Sequence, residues 1–370
     1  MVFYVPLCYN QTIVNAINRN LRRWLILSMN NKKIIAIIYA FAAAVFYAIN
    51  APCSKLLLEN ISPTYLAALL YLGAGIGVGF MYLFHYKKEP SGVRLKKADL
   101  PYTIGMVALD IIAPILLMVG IKIGTSANAS LLGNFEIVAT TFIALLLFKE
   151  KVSPRLWLAV GLITLSSIIL SFGGAGTFQF SLGSAFVIGA TICWGLENNC
   201  TRKISEKSTY QIVTIKGFGS GTGSLIIALV LGETFPDIKL ILPALLLGFI
   251  AYGLSIFTYI RAQTTLGASK TSAYYAVAPF IGAFLSFVIL HENLTTAYLI
   301  ALLFMIAGTV LVAADTLVNH HSHEHTHTFM HTHDGSTHSH TVVHSHGHNH
   351  YFNTKNHSHT HITSELESLL

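Results

Sequence analysis

The chain has 370 residues, 53% of them hydrophobic and only 11% charged, where an ordinary soluble domain carries roughly 25% charged residues. Its mean hydropathy is +0.61, and the apolar residues gather in about ten blocks, each able to cross a hydrocarbon core of roughly 30 Å as a helix. A soluble globular fold, a single anchor and an outer-membrane barrel are excluded.

Residues 1–28 lack the basic-then-apolar order of a signal peptide, and Met29 stands just before Asn30-Asn31-Lys32-Lys33 and the first apolar block. Translation is expected to start at Met29. The alternative is a surface segment in which Arg19, Arg22, Arg23 and Trp24 meet anionic lipid. Uninterrupted apolar runs then predict helices over 34–54, 64–84, 100–120, 127–148, 154–172, 182–200, 211–231, 242–262, 271–290 and 295–314. Ten spans bring both termini to one side. With that side cytoplasmic, 18 Lys and Arg lie inside and only Lys55, Lys122 and Lys239 outside, so both termini are expected in the cytoplasm of a multi-pass inner (plasma) membrane protein, with loop 291–295 outside. The formal charge of +7 therefore reports topology and no nucleic-acid partner. Cys8, Cys53, Cys193 and Cys200 form no CxxC pair and read as reduced.

The chain also repeats itself. Gly73, Gly75, Gly77 and Gly79 line up with Gly217, Gly219, Gly221 and Gly223 at an offset of 144, Gly124 with Gly267 at 143, and Phe148-Lys149-Glu150-Lys151 with Leu290-His291-Glu292-Asn293 at 142. Asn50 pairs with Glu197 at 147. Each half holds five helices, an odd number, so the second half enters the membrane from the opposite side. Such inverted repeats are common in secondary transporters, with a site between the halves near the midplane. The expected units are an N-terminal extension (1–31), two repeats (32–173 and 174–315) and a tail (316–370).

Over residues 32–314 the sequence resembles the EamA family of the drug/metabolite transporter superfamily. The features carrying the resemblance are the five-plus-five helices, Trp194-Gly195 early in helix 6, Pro279 in helix 9, and Glu150 and Glu292 closing helices 4 and 9. Two positions depart from the pattern: Tyr47-Ala48 replaces Trp-Gly in helix 1, and Ile137 stands where the mate of Pro279 is due. The resemblance implies an exporter of small metabolites, not an enzyme, with helix 4 lining a central cavity.

An ionisable group inside the bilayer is a functional candidate by default. Asp110 lies four residues before Pro114, whose missing N–H frees a carbonyl; the alternative is a hydrogen bond to a neighbouring helix. Glu136, beside Asn134, is placed for reversible proton uptake, or for an ion pair with Lys216. Glu197, with Asn198 and Asn199, offers a hydrogen-bonding site, or lies at the interface near Arg202. Lys216 either snorkels to water or binds a substrate anion. One of Tyr274 and Tyr275 is expected to face the cavity. Gly73, Gly77, Gly217 and Gly221 read as close helix packing, since the spacing is no nucleotide loop.

After Asp315 the composition changes abruptly. His320, His321, His323, His325, His327, His331, His333, His338, His340, His344, His346, His348, His350, His357, His359 and His361 alternate with small polar residues. Such a tail builds no core and is expected to be disordered, while imidazoles at this density bind Zn²⁺, Ni²⁺, Co²⁺ or Cu²⁺. The first expectation is thus an all-α exporter of a small organic metabolite, proton-linked or facilitated, with a metal-binding tail and no required cofactor. The alternatives are a divalent-metal transporter and a membrane metal sensor. Expected partners are the substrate, protons, the lipid bilayer and a second copy of the chain in a homodimer.

Overall fold

The computed structural model describes residues 32–148, 153–172, 181–266, 271, 274–292, 295–316, 319–333 and 336–350. The N-terminal extension with Met29, Glu150 and the tail beyond His350, including His357, His359 and His361, lie outside the described residues.

Ten helical spans follow one another: α1 (Lys32–Leu57) and α2 (Pro63–His85); α3 (Leu100–Ile123); α4, in two pieces, Ser126–Leu132 and Phe135–Phe148; α5 (Pro154–Phe172) and α6 (Leu182–Ile204); α7 (Thr209–Val230) and α8 (Ile238–Leu266); α9, whose regular part is Ala278–Leu290; and α10 (Thr296–Thr316). Seven of them are long and apolar enough to cross a membrane. Among the described residues α6 falls short because it carries Glu197, Asn198 and Asn199; Glu197 is buried and Asn198 reaches across to Glu136.

Local chemistry sets the starts. Proline stands at the first turn of α2 and α3, where its missing N–H has no partner to lose. Thr125, Ser208 and Asp237 accept backbone N–H bonds as caps of α4, α7 and α8. Outward faces are apolar, as at Phe80, Leu83, Leu146, Val230 and Leu303. The core centres on α2, whose Leu66, Leu70 and Tyr71 are buried.

Repeat-mates run in opposite directions. Lys55, near the end of α1, donates to the Gly124 carbonyl at 2.7 Å, while Gly183, at the start of α6, packs against the backbone of the same glycine. The end of one mate therefore sits at the face where the other begins. Both copies of the fourth helix are interrupted at matching places: α4 by a turn at 133–134, and α9 by a turn at 276–277. The offset between the two breaks is 143, the same that relates Gly124 to Gly267.

The helices and the tail form separate compact units, 1–313 and 314–370. In the tail, β1 (Asn319–His333) pairs antiparallel with β2 (Ser336–His350).

Candidate functional site

The polar residues of the two halves meet inside the bundle. Asp110 of α3 is fully buried; its Oδ1 accepts from the Tyr71 hydroxyl at 3.0 Å, and its Oδ2 lies 2.9 Å from Lys216 Nζ. The same Nζ lies 3.0 Å from Glu197 Oε1, and Glu197 also accepts from Thr201 Oγ1 one turn on. Lys216 therefore bridges two carboxylates, one from each half, and is 8% exposed. It does not snorkel, because two anions inside the bundle replace the water it would otherwise reach for. Nor does it pair with Glu136, the alternative read from the sequence. Glu197 is 2% exposed.

Glu136 sits in the first turn of the second piece of α4 and accepts a hydrogen bond from Asn198 Nδ2 of α6 at 2.5 Å. Asn198 thus links the halves a second time. A third link joins α1 to α8: Asn50 Nδ2 donates to the Tyr252 hydroxyl at 3.0 Å, and Ser54 donates to Asn50 Oδ1 at 3.1 Å. Tyr252 belongs to a π-helical stretch, Phe249–Leu254, a local widening that often marks functional sites. Its ring packs on Tyr71 and Tyr47, with centroids 5.0 and 6.1 Å away.

The structure separates the two tyrosines of α9. Tyr275 turns inward, 6.0 Å from Tyr47 and 5.2 Å from Tyr259. Tyr274 packs on Phe41, an exposed residue on the outer face of α1.

A cavity of about 30 Å³ is bordered by Tyr47, Asn50, Ser130, Gly133, Trp194 and Pro279 among others, and of the polar links above only Asn50 reaches it. It is room for a water or two. Its walls come from α1, α3 and α4 of the first half and from α6 and α9 of the second, with Gly133 at the break in α4 and Ala278 just after the break in α9 among them. Ser130 Oγ and Asn134 Nδ2 have no hydrogen-bond partner among the described residues. Asn134 itself is 3% exposed, so an unmet donor here is costly and marks a place where a bound molecule or water gains a contact.

The glycines stand where helices approach most closely. A Cβ on Gly217 would lie 2.3 Å from Gly75 N, and one on Gly221 2.7 Å from Leu72 N, both across the α2–α7 contact; Gly73 and Gly77 face α8 at Leu245 and Phe249. The carboxylate of Glu292 accepts from the backbone N–H groups of Ser126 and Ala127 at 2.7 and 2.9 Å, fixing the start of α4 to the end of α9.

A family model described as the EamA-like transporter family matches residues 34–172 and again 181–314. The chain belongs to that family. It is accordingly a multi-pass membrane transporter built from two EamA halves, not an enzyme. An uncharacterized transporter of Methanothermobacter thermautotrophicus is 27% identical, with 73% of this chain and 83% of that protein aligned. Another, of Clostridium kluyveri, is 22% identical over 74% of this chain and 91% of its own. One solved crystal structure, 17% identical, superimposes with a TM-score of 0.56 over 75% of this chain and 94% of its own, a likeness of fold alone.

Sequence reasoning missed Tyr47, Tyr71, Tyr252 and Ser130 as site residues. Tyrosine in an apolar helix is commonplace, so nothing in composition sets these apart. One signal was present: Tyr252 lies one residue from the position that the 143-residue offset pairs with Asp110.

Proposed function

We propose that this EamA transporter exports a small organic metabolite by alternating access, with the polar centre between Asn50, Asp110, Glu136, Glu197 and Lys216 as its substrate and proton pathway. The observation that carries this reading is the pair of broken helices, α4 and α9, facing one small cavity to which both halves contribute. Broken helices around a midplane site are the usual substrate-binding construction of inverted-repeat transporters. The cavity is too small for a metabolite as it stands, which fits an occluded conformation that opens to each side in turn. Ammonium at the Lys216 position disfavours the divalent-metal alternative, since the space between Asp110 and Glu197 already holds a cation.

Both termini of the helical bundle lie on the cytoplasmic side in this proposal. Cysteine accessibility in oriented membranes tests orientation and mechanism together. Asn60→Cys should react with an impermeant maleimide only from outside, and Lys87→Cys only from inside. Ser130→Cys, at the cavity, should react with a small impermeant thiosulfonate from either side. Labelling of Ser130→Cys from one side alone removes alternating access; reversal at the other two positions removes the topology.

The histidine tail is proposed as an accessory that binds divalent metal without taking part in transport. The helical unit carries the polar site, and the tail is a separate compact unit. Truncation after Asp315 should leave a folded bundle while Ni²⁺ and Zn²⁺ binding by isothermal titration falls to a small fraction of that of the full chain. Tight binding of one divalent ion by the truncated protein would instead place a metal site in the bundle and favour the metal-transport reading.

A further inference from the structure

We infer that the contact between the start of α4 and the end of α9 is the gate that closes the cavity toward the face where α1 ends, with the carboxylate of Glu292 as its latch. The inference rests on the alternating-access reading above and adds to it the residues that hold one side shut. Three observations carry it.

The first is a ladder of contacts between the halves, running from the cavity to that face. At the cavity wall Gly282 of α9 packs so tightly on α4 that an added Cβ would lie 3.0 Å from Ser130 Oγ. One turn further along both helices the hydroxyls of Ser126 and Ser286 meet at 2.9 Å, and both residues are fully buried. Ser286 donates its own proton to the Gly282 carbonyl at 2.8 Å, so Ser126 is the donor of the pair. At the end of the ladder Glu292 accepts from the backbone N–H groups of Ser126 and Ala127 at 2.7 and 2.9 Å. Each rung joins the first half to the second, so α9 cannot leave α4 at this face until all three part.

The second is the contrast between the two helices. The corner from which α4 starts is anchored within its own half: Lys55 Nζ donates to the carbonyls of Ile121, Lys122 and Gly124 at 2.7, 3.0 and 2.7 Å. The outer piece of α9, Ala278–Leu290, follows the turn at 276–277, and interrupted backbone of this kind can absorb a change of angle. A swing of that piece about the turn parts the ladder without unfolding a helix.

The third is the backbone at the end of α9. His291 adopts the left-handed conformation, with φ 51° and ψ 36°, which ends a helix and redirects the chain. The next residue is Glu292, and it is returned over the first N–H groups of α4. Bonds to an ionised carboxylate are about twice as strong as neutral ones, and water can replace them when the face opens. That combination makes a firm fastening that still releases.

The test reads the labelling of Ser130→Cys by the small impermeant thiosulfonate from each side of oriented membranes. The unsubstituted full chain is the blank, and Asn60→Cys marks the side on which the proposed gate lies. Adding Glu292→Gln removes the charge and leaves a single acceptor oxygen, and adding Ser286→Ala removes the rung beneath it. Each should raise the labelling rate from the Asn60 side by about threefold or more, and the two together by more than about tenfold. The rate from the opposite side should not rise, since weakening one gate draws the population toward one open state alone. If Glu292→Gln does not insert, Ser286→Ala, which deletes one oxygen, carries the test by itself. Unchanged rates from the Asn60 side overturn the inference, because something else then closes this face. An equal rise from both sides overturns it too, by showing that Glu292 and Ser286 merely hold the bundle together. Labelling from one side alone in the parent and in every variant would instead remove alternating access itself, and the gate with it.

Discussion

Lys216→Met should yield a protein that inserts into the membrane, melts well below the unmodified chain and transports nothing. Lys216 neutralises Asp110 and Glu197, which are 0% and 2% exposed. Removing it leaves two carboxylates facing each other without water. Breaking a buried ion pair by deleting one partner costs about 3–5 kcal/mol, and proton uptake by one carboxylate offsets part of that. The double variant Lys216→Met with Asp110→Asn removes a charge of each sign and should recover at least half of the lost stability. Transport should not recover, because the bridge between halves is still missing. Glu197→Gln alone should be milder in stability, since Lys216 keeps Asp110. Thermal midpoints in detergent decide the point: a Lys216→Met protein as stable as its parent would mean that the triad is not what holds α3, α6 and α7 together.

Gly73→Ala should destabilise the bundle strongly, although alanine is the better helix former by about 1 kcal/mol. The added Cβ would lie 2.0 Å from the Leu245 carbonyl oxygen and 2.9 Å from its Cα. These are backbone atoms, so no side-chain rotation relieves the overlap, and α2 and α8 must separate. Gly248 makes the reciprocal approach, 2.0 Å from the Leu70 carbonyl oxygen, so the separation loses contact along two turns. Overpacking of this kind costs about 1–3 kcal/mol, occasionally more. Gly161 in α5 is the control, because nothing lies within 4 Å of its added Cβ; Gly161→Ala should be neutral or slightly stabilising. Equal melting midpoints for the two variants would sink the explanation.

These two results depend on features of different legibility. The Gly73 position stood out in the sequence because alternating glycines in a membrane helix have few uses besides close packing, and the repeat showed the pattern twice. The partners of Lys216 did not stand out. Glu136 was the one carboxylate read as an ion-pair partner for it, and nothing along the chain pointed to Asp110 and Glu197 instead. The choice between Tyr274 and Tyr275 was likewise open, since neighbours on a helix point about 100° apart and only the position of α1 says which direction is inward.

The sequence by itself determined the number of helices, their approximate limits, the duplication and its inversion. Each follows from a quantity that acts locally or counts along the chain: hydrocarbon thickness sets the block length, and five spans per half force the second half to start from the other side. The tertiary structure alone decided that Lys216 lies between Asp110 and Glu197, that Asn198 reaches Glu136, that Tyr252 meets Asn50 through a π-helical widening, and that α4 and α9 break where they line the cavity. Those facts depend on the rotation of each helix about its axis and on its depth relative to partners 19 to 202 residues away. Apolar blocks without a marked polar face do not encode that rotation, because lipid and protein interior are nearly equivalent surroundings for a leucine, and only the packing of the whole bundle selects it.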